Sequence, residues 1–561
     1  MLAHQLESPA TSLVKEMMPR IEREDRSSRD MTWKMIEPLL STTFTSFPGE
    51  VMLRLLLSAS PTTASELKAI ATPLLSVISL RPQFVEFLQS IEERSDLEVI
   101  EMCRELMFQE SRGGNVVHQV LRRTFNIVLD MEIALTSLRR AYLWSVTRPP
   151  QVLQPKYLQT MMTIALQCFN NEYVFFETGE EEETCRGIFD EFESKGASTS
   201  PLLSKVIAYA MYHPISQLAM SEEQIQSLVK QAEAQELGEG IQELIARQIR
   251  EDSCERDIAA GIHSFGRIEN DVTLKVRQQY EESPYPRWID FLDRKPRPFA
   301  AYIEKKFPFL HDGLPAGSVD CLVAGCGTGQ HALQVAARFP DAAVIAVDIS
   351  RRSLAYGMRQ AARYCVSHIE FLHGDLLEIK ALKRDFDLIE SVGVLHHMED
   401  PLSGFKALTE VLRPGGFMKI AVYRRSFRDQ LKPAKEFVRA RMKSYSPSDL
   451  RSVRHELITD KSSSKIRIIS NDFFYLSGFR DLLCHVQETS FTPSEIKVIL
   501  QKLNLEFLGV IYSDKSEIQT AFRAAHPDQD RVYDLDVYEE FEASRAEQMP
   551  SLLTFWVRKP Q

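Results

Sequence analysis

From residue 12 to about 260, apolar residues recur at three- and four-residue intervals with few strand-like alternations, so the first half of the chain reads as helical. The stretches 153–176 and 201–218 are its clearest examples. A third, 67–88, is expected to be split into short helices by Pro73 and Pro82, because proline removes a backbone donor and clashes with the preceding turn. Glu180 to Glu183 reads as a solvated turn between helices. The texture changes after about residue 317. Short apolar runs at 319–324, 344–347, 369–372, 386–391 and 417–423 each have the length of a buried parallel strand, and helical stretches separate them. A helix over 493–503 and two last strands, 507–512 and 552–557, complete the pattern. The chain is therefore read as an all-α domain over 1–270 followed by an α/β domain over 271–561, with the boundary near 260–275. No internal repeat holds a fixed period.

Composition narrows the functional classes. The length of 561 residues is too great for one core, and the 44% hydrophobic share is that of an ordinary globular protein. A net charge of −11 argues against a general nucleic-acid binder, whose affinity rests on phosphate neutralisation. The 8 cysteines form no Cys-x-x-Cys pair, so neither a zinc motif nor a disulfide scaffold is expected, and no metal site is assigned. Glu7, Lys15 and Glu16 stand where a secretory signal would place its apolar core, and no apolar stretch approaches ~18 residues. A cytoplasmic protein without a membrane span is the expectation.

The chemistry concentrates in one loop. Residues 321–329 read Cys-Leu-Val-Ala-Gly-Cys-Gly-Thr-Gly, an apolar run that breaks into Gly325, Gly327 and Gly329. Glycine lets the chain turn sharply and bring its backbone against a ligand where a Cβ would clash. The helix opening at Gln330 should aim the loop's amides at whatever sits there. A dinucleotide fingerprint needs a third glycine three positions after the second, and Gln330 occupies that place. The second strand ends in Asp348, where a carboxylate accepts the two hydrogen bonds of a ribose diol. The third ends in Gly374-Asp375-Leu376, a carboxylate beside apolar walls suited to the exocyclic amine of an adenine. The fourth ends in Ser391 and runs into Val392-Gly-Val-Leu-His-His397, while Leu412-Arg-Pro-Gly-Gly416 reads as a structural turn.

In motif order and spacing, residues 317–425 resemble the cofactor core of class I S-adenosylmethionine-dependent methyltransferases. The resemblance implies a seven-stranded Rossmann-like sheet. It also implies S-adenosyl-L-methionine held by Gly325, Cys326, Gly327, Thr328, Gly329, Asp348, Ile349, Gly374, Asp375, Leu376 and Ser391. One position departs from the family. The acid usually found two residues before the first glycine, which helps hold the methionine amine, is Val323 here. Less specific likeness, at 173–176, 276–288 and 477–487, points to a bacterial group often fused to or annotated with tetratricopeptide arrays, although that repeat's own pattern is absent.

Four residues are candidates for the chemical step. Adjacent strand-end residues point to opposite faces, so only one of His396 and His397 should line a cleft, and His396 is the one read as cleft-lining. Pro284 and Pro286 stiffen the segment before the first strand, so Tyr285, Arg287 and Trp288 should project from a shaped cover. The stretch 424–490 is longer than a strand connection needs and is read as a substrate lid carrying Arg480 and His485. His396, His485, Tyr285 and Arg287 are thus the catalytic set. Enzymes acting on planar amide or adenine nitrogens usually carry Asn/Asp-Pro-Pro-Tyr/Phe after the fourth strand, where this chain reads Glu390-Ser-Val-Gly393. The expected reaction is therefore methyl transfer to an oxygen, carbon or other nitrogen of a small molecule. A protein acceptor recruited by the helical half, or a silent scaffold suggested by Val323, are the alternatives.

Overall fold

The computed structural model describes residues 64–108, 116–148, 153–195, 202–291, 295–310, 317–460, 470–511, 517–527 and 534–561. The chain divides into two compact units: 1–252 with 446–452 and 473–476, and 253–445 with 453–472 and 477–561. Residues 461–469, within the stretch read as a lid, and Tyr512, the end of an expected strand, lie outside the described residues, as does everything before Ala64.

The first unit is helical. Helices Leu129–Thr147 and Pro155–Asn170 are buried on most of their surface, and the others pack an apolar face around them. Ser95 with Glu98 and Ser221 with Gln224 form reciprocal capping boxes that fix where two of those helices begin. Two expectations fail here. Helix Ala64–Ser79 runs straight through Pro73, and only Pro82 starts a new helix, at a first-turn position where it costs nothing. Burial of Ile70, Leu74, Leu75 and Ile78 offsets the hydrogen bond that Pro73 removes. Nor is Glu180–Glu183 a solvated turn: it opens helix Gly179–Lys195. Glu181 is fully buried, accepting from the Thr178 N–H at 2.9 Å and the Tyr212 hydroxyl at 2.6 Å, with Arg140 Nε 3.3 Å away. Arg139, 3.7 Å away, and those partners hold its carboxyl below the usual range in spite of burial.

The second unit is built on a seven-stranded sheet: β1 (Val319–Ala324), β2 (Ala342–Asp348), β3 (Ile369–His373), β4 (Phe386–Val392), β5 (Leu412–Tyr423), β6 (Glu506–Val510) and β7 (Leu552–Arg558). The order is β3-β2-β1-β4-β5-β7-β6. β1 to β5 are mutually parallel where they pair, and β7 runs antiparallel to both β5 and β6. Each central strand is apolar on both faces because helices cover both. Leu322, Ile345, Ile389 and Ile420 face one core, while Cys321, Val344, Leu388 and Phe417 face the other. The strand order reverses between β1 and β4. In open α/β sheets that switch point, at the carboxyl ends of the strands, is where a crevice forms.

Candidate functional site

A cavity of about 370 Å³ lies at that switch point. Its floor is the glycine loop. Gly325, Gly327 and Gly329 all have positive φ, of 73°, 53° and 83°. A Cβ on Gly325 would stand 2.4 Å from Val394, and one on Gly327 2.5 Å from the Tyr285 carbonyl oxygen, so backbone is all that fits. The loop amides do not aim at a ligand as the sequence suggested. Gly325 and Cys326 donate to the Val347 carbonyl at 2.8 and 2.9 Å, Thr328 to the Tyr285 carbonyl and Gly329 to that of Cys326. The loop therefore offers shape rather than free donors.

Asp348, at the tip of β2, accepts from the Gly327 N–H at 2.7 Å and the Ser350 N–H at 2.9 Å. Burial pushes its carboxyl up to about 6, against those two amides, and Glu281 adds to the rise. Asp375, after β3, caps the turn that follows it through the Leu377 N–H at 2.9 Å, and burial raises its carboxyl also. Gly374 has no room for a side chain because a Cβ would meet the Phe265 ring at 2.5 Å. Gly325, Cys326, Gly327, Asp348, Ile349, Gly374, Asp375 and Leu376 all line the cavity. Thr328, Gly329 and Ser391 do not. Thr328 turns its hydroxyl to the Pro286 carbonyl, Gly329 packs on Gly357, and Ser391 is buried within β4, its hydroxyl unpaired. Val392, Gly393 and Val394 occupy the wall expected of Ser391.

The candidates for the chemical step separate. Tyr285 lines the cavity, whereas Arg287 points to the Tyr356 ring, 5.6 Å from its centroid. Trp288 is buried beneath the glycine loop, its Nε1–H donating to Thr328 at 3.1 Å. The histidine pair is reversed: His397 lines the cavity and His396 lies behind it. Residues 395–397 form a 3-10 turn rather than a strand end, so strand alternation does not apply. His396 is stacked on Tyr423 at 3.6 Å, and its Nδ1 accepts the Tyr423 N–H at 3.0 Å.

No described residue of 424–490 lines the cavity, so Arg480 and His485 do not reach it. The described residues of that stretch form helices Arg425–Gln430, Lys432–Arg441, Pro447–Thr459 and Leu476–Cys484, and residues 481–487 brace the wall from behind. Asp481 accepts from the hydroxyls of Tyr280 and Tyr423, each at 2.8 Å, and His485 lies 3.1 Å from the Tyr280 hydroxyl. His397, Asp481 and His485 are close enough to suggest a metal site. However, the Gln487 N–H donates to His485 Nδ1 at 3.0 Å, which leaves the proton on the nitrogen facing that group. A neutral ring held so offers no lone pair there.

At the front of the cavity sequence reasoning reached Tyr280, read with Tyr285 as able to close on a ligand, and left out the rest. Helix Asp271–Glu282 supplies Thr273, Val276 and Tyr280, and helix Gln330–Arg338 supplies Gln330, His331 and Gln334. Gln330, His331 and Gln334, the polar residues of the first half of a helix whose other residues there are apolar, were the available signal. His331 is tied at 2.7 Å to buried Glu390, which Lys419 also holds. Glu390 stands in register with Val323, so a buried acid lies one strand away from the position that lost one.

Residues 321–416 match the family described as a methyltransferase domain. An uncharacterized protein of Synechococcus sp. is 27% identical over 291 residues, covering 49% of this chain and 69% of that protein. An uncharacterized methyltransferase of Mycobacterium bovis is 32% identical over 110 residues, 20% of this chain and 53% of its own length. Among solved structures, PKMT2 from Rickettsia typhi in complex with AdoHcy is 16% identical, covers 46% of this chain and 52% of its own, and has a TM-score of 0.34. The chain thus spans about half of the mycobacterial and rickettsial proteins and somewhat more of the cyanobacterial one.

Proposed function

We propose, from a chain that belongs through its second unit to the class I S-adenosylmethionine-dependent methyltransferases, that it transfers a methyl group from S-adenosylmethionine to a small-molecule acceptor. The observation that carries this is the cradle itself: glycine backbone with no space for a Cβ, set between two buried carboxylates at the switch point. Asp348 would take the ribose hydroxyls, Asp375 the adenine amine, and the backbone at Gly325 and Gly327 would run beside the methionine part. When bound, the donor supplies an activated sulfonium methyl. The protein's task is to place a nucleophile in line with it and exclude water. Tyr280, Tyr285, Val394, Met398 and Leu552 make the remaining wall largely apolar, which suits that exclusion.

The test is binding of S-adenosylhomocysteine by calorimetry. Asp348→Ala should weaken it by about 1.5–3 kcal/mol through loss of charge-assisted hydrogen bonds. The wild-type affinity should rise by about tenfold between pH 5 and 7.5 as a carboxyl at about 6 ionises and becomes a full acceptor. Stability should respond in the opposite sense. A folded-state value raised above 3.8 favours the folded chain at low pH, and that contribution is lost as the pH rises through about 6. Asp375 titrates in the same sense, so the slope owed to Asp348 is the part that Asp348→Asn removes. A wild-type affinity independent of pH, or an alanine variant that binds normally, would take Asp348 out of the site.

A further inference from the structure

Taking the cavity as the site of a sulfonium methyl donor, we propose that Nε2 of His397 is the general base of the transfer and that the acceptor is a neutral molecule carrying a phenolic hydroxyl. The main chain fixes the proton on each of the three clustered histidines, because backbone N–H groups only donate and carbonyls only accept. His396 and His485 each receive an N–H at Nδ1, from Tyr423 and Gln487, so each keeps its proton on Nε2. His397 alone is the reverse: its Nδ1 lies 2.9 Å from the Gln487 carbonyl oxygen, which requires the proton there and leaves the lone pair on Nε2. His397 is also the member of the three that lines the cavity. Burial and Arg428 hold it below the usual imidazole range against Asp481 and Glu488, so it is neutral and able to accept a proton at pH 7.

The acceptor class follows from the same wall. Among the described residues none that lines the cavity is lysine or arginine, so the protein offers a carboxylate acceptor no cation of its own. An alkyl amine is an ammonium ion at pH 7, and beside Tyr280, Tyr285, Val394 and Met398 it would be desolvated with no carboxylate but those assigned to the donor. A neutral hydroxyl needs only a base, and Tyr280 and Tyr285 offer an aromatic ring apolar faces. In the step, His397 Nε2 takes the hydroxyl proton as the oxygen–carbon bond forms. The carbon–sulfur bond breaks with its electron pair left on sulfur as a neutral thioether, and the imidazolium later returns its proton to water.

The experiment uses the full chain, methyl-tritiated S-adenosylmethionine and three ring-matched probes: phenol, benzoate and benzylamine. Transfer should go to phenol. It should fall by about 10²–10⁴-fold in His397→Asn, which keeps a side-chain N–H for the Gln487 carbonyl but removes the ring lone pair. Because that variant can misfold, the wild-type chain is also treated with diethylpyrocarbonate, which acylates imidazole lone pairs, and mapped by peptide mass spectrometry. Label is expected on His397 in preference to His396 and His485, and S-adenosylhomocysteine should suppress it. Absence of label on His397, undiminished transfer in a folded His397→Asn, or preference for benzoate or benzylamine would each overturn the proposal. So would no transfer to phenol by a chain that binds S-adenosylhomocysteine normally. Failure of the wild-type chain to bind S-adenosylhomocysteine at all would sink the methyl-donor reading instead.

Discussion

Gly327→Val is expected to abolish binding of S-adenosylhomocysteine, with no measurable heat in a titration that gives a clear isotherm for the wild type. Two independent effects act at this position. With φ of 53° the residue sits in the left-handed region, which a β-branched side chain rarely adopts. The added Cβ would also stand 2.5 Å from the Tyr285 carbonyl oxygen, a backbone atom that cannot rotate away. That carbonyl accepts the Thr328 N–H, and the segment continues into buried Trp288, so the clash can be relieved only by moving the cavity wall. Gly317→Ala is the control: φ there is 94° with nothing within 4 Å of the new Cβ, so it carries the backbone strain without the collision. It should lower the melting temperature slightly and leave affinity unchanged. Undiminished affinity in a folded Gly327→Val chain would mean that the loop is merely a tight turn.

The rear of the cavity was legible in the sequence because its signals are local. A buried strand, a glycine loop and a helix follow one another without a gap, and Asp348 and Asp375 stand at strand ends that their apolar runs define. All seven strands were foreseen for the same reason, since runs packed on both faces stand out from amphipathic helices. What escaped depends on distant partners. Glu181 reads as one of four solvated acids until Arg139, Arg140 and Tyr212 are brought to it. His396 and His397 are indistinguishable until a 3-10 turn and the Tyr423 amide decide which ring faces inward. The stretch 424–490 is long enough to be read as a lid, and only the packing of Asp481 and Gln487 shows that this part of it holds Tyr280 and His397 from behind. Length indicates that a connection has a task but not which side of a wall it serves.

Trp288→Ala should destabilise the chain by ~3–5 kcal/mol, the cost of emptying a large buried aromatic site. Trp288 is 2% exposed. Its ring meets Tyr356 edge-on at 5.6 Å between centroids, and Tyr356 donates its hydroxyl to the Trp288 carbonyl. Its Nε1–H also holds Thr328, so the indole ties the glycine loop to helix Arg351–Arg363. Tyr285, three residues earlier, has a different task. It lines the cavity and reaches Asp472 with its hydroxyl at 3.3 Å. Tyr285→Ala should therefore reduce affinity for S-adenosylhomocysteine while leaving the melting temperature near that of the wild type. Arg287→Ala should do little to affinity, because its guanidinium faces the Tyr356 ring rather than the cavity. Denaturant unfolding and calorimetry on the three variants separate anchor from cover. A Trp288→Ala chain within 1 kcal/mol of wild type, an estimate below the usual cost of such a cavity, would remove the anchor. Equal loss of stability in all three, with the folded remainder binding normally, would show that the segment is packing throughout and covers nothing.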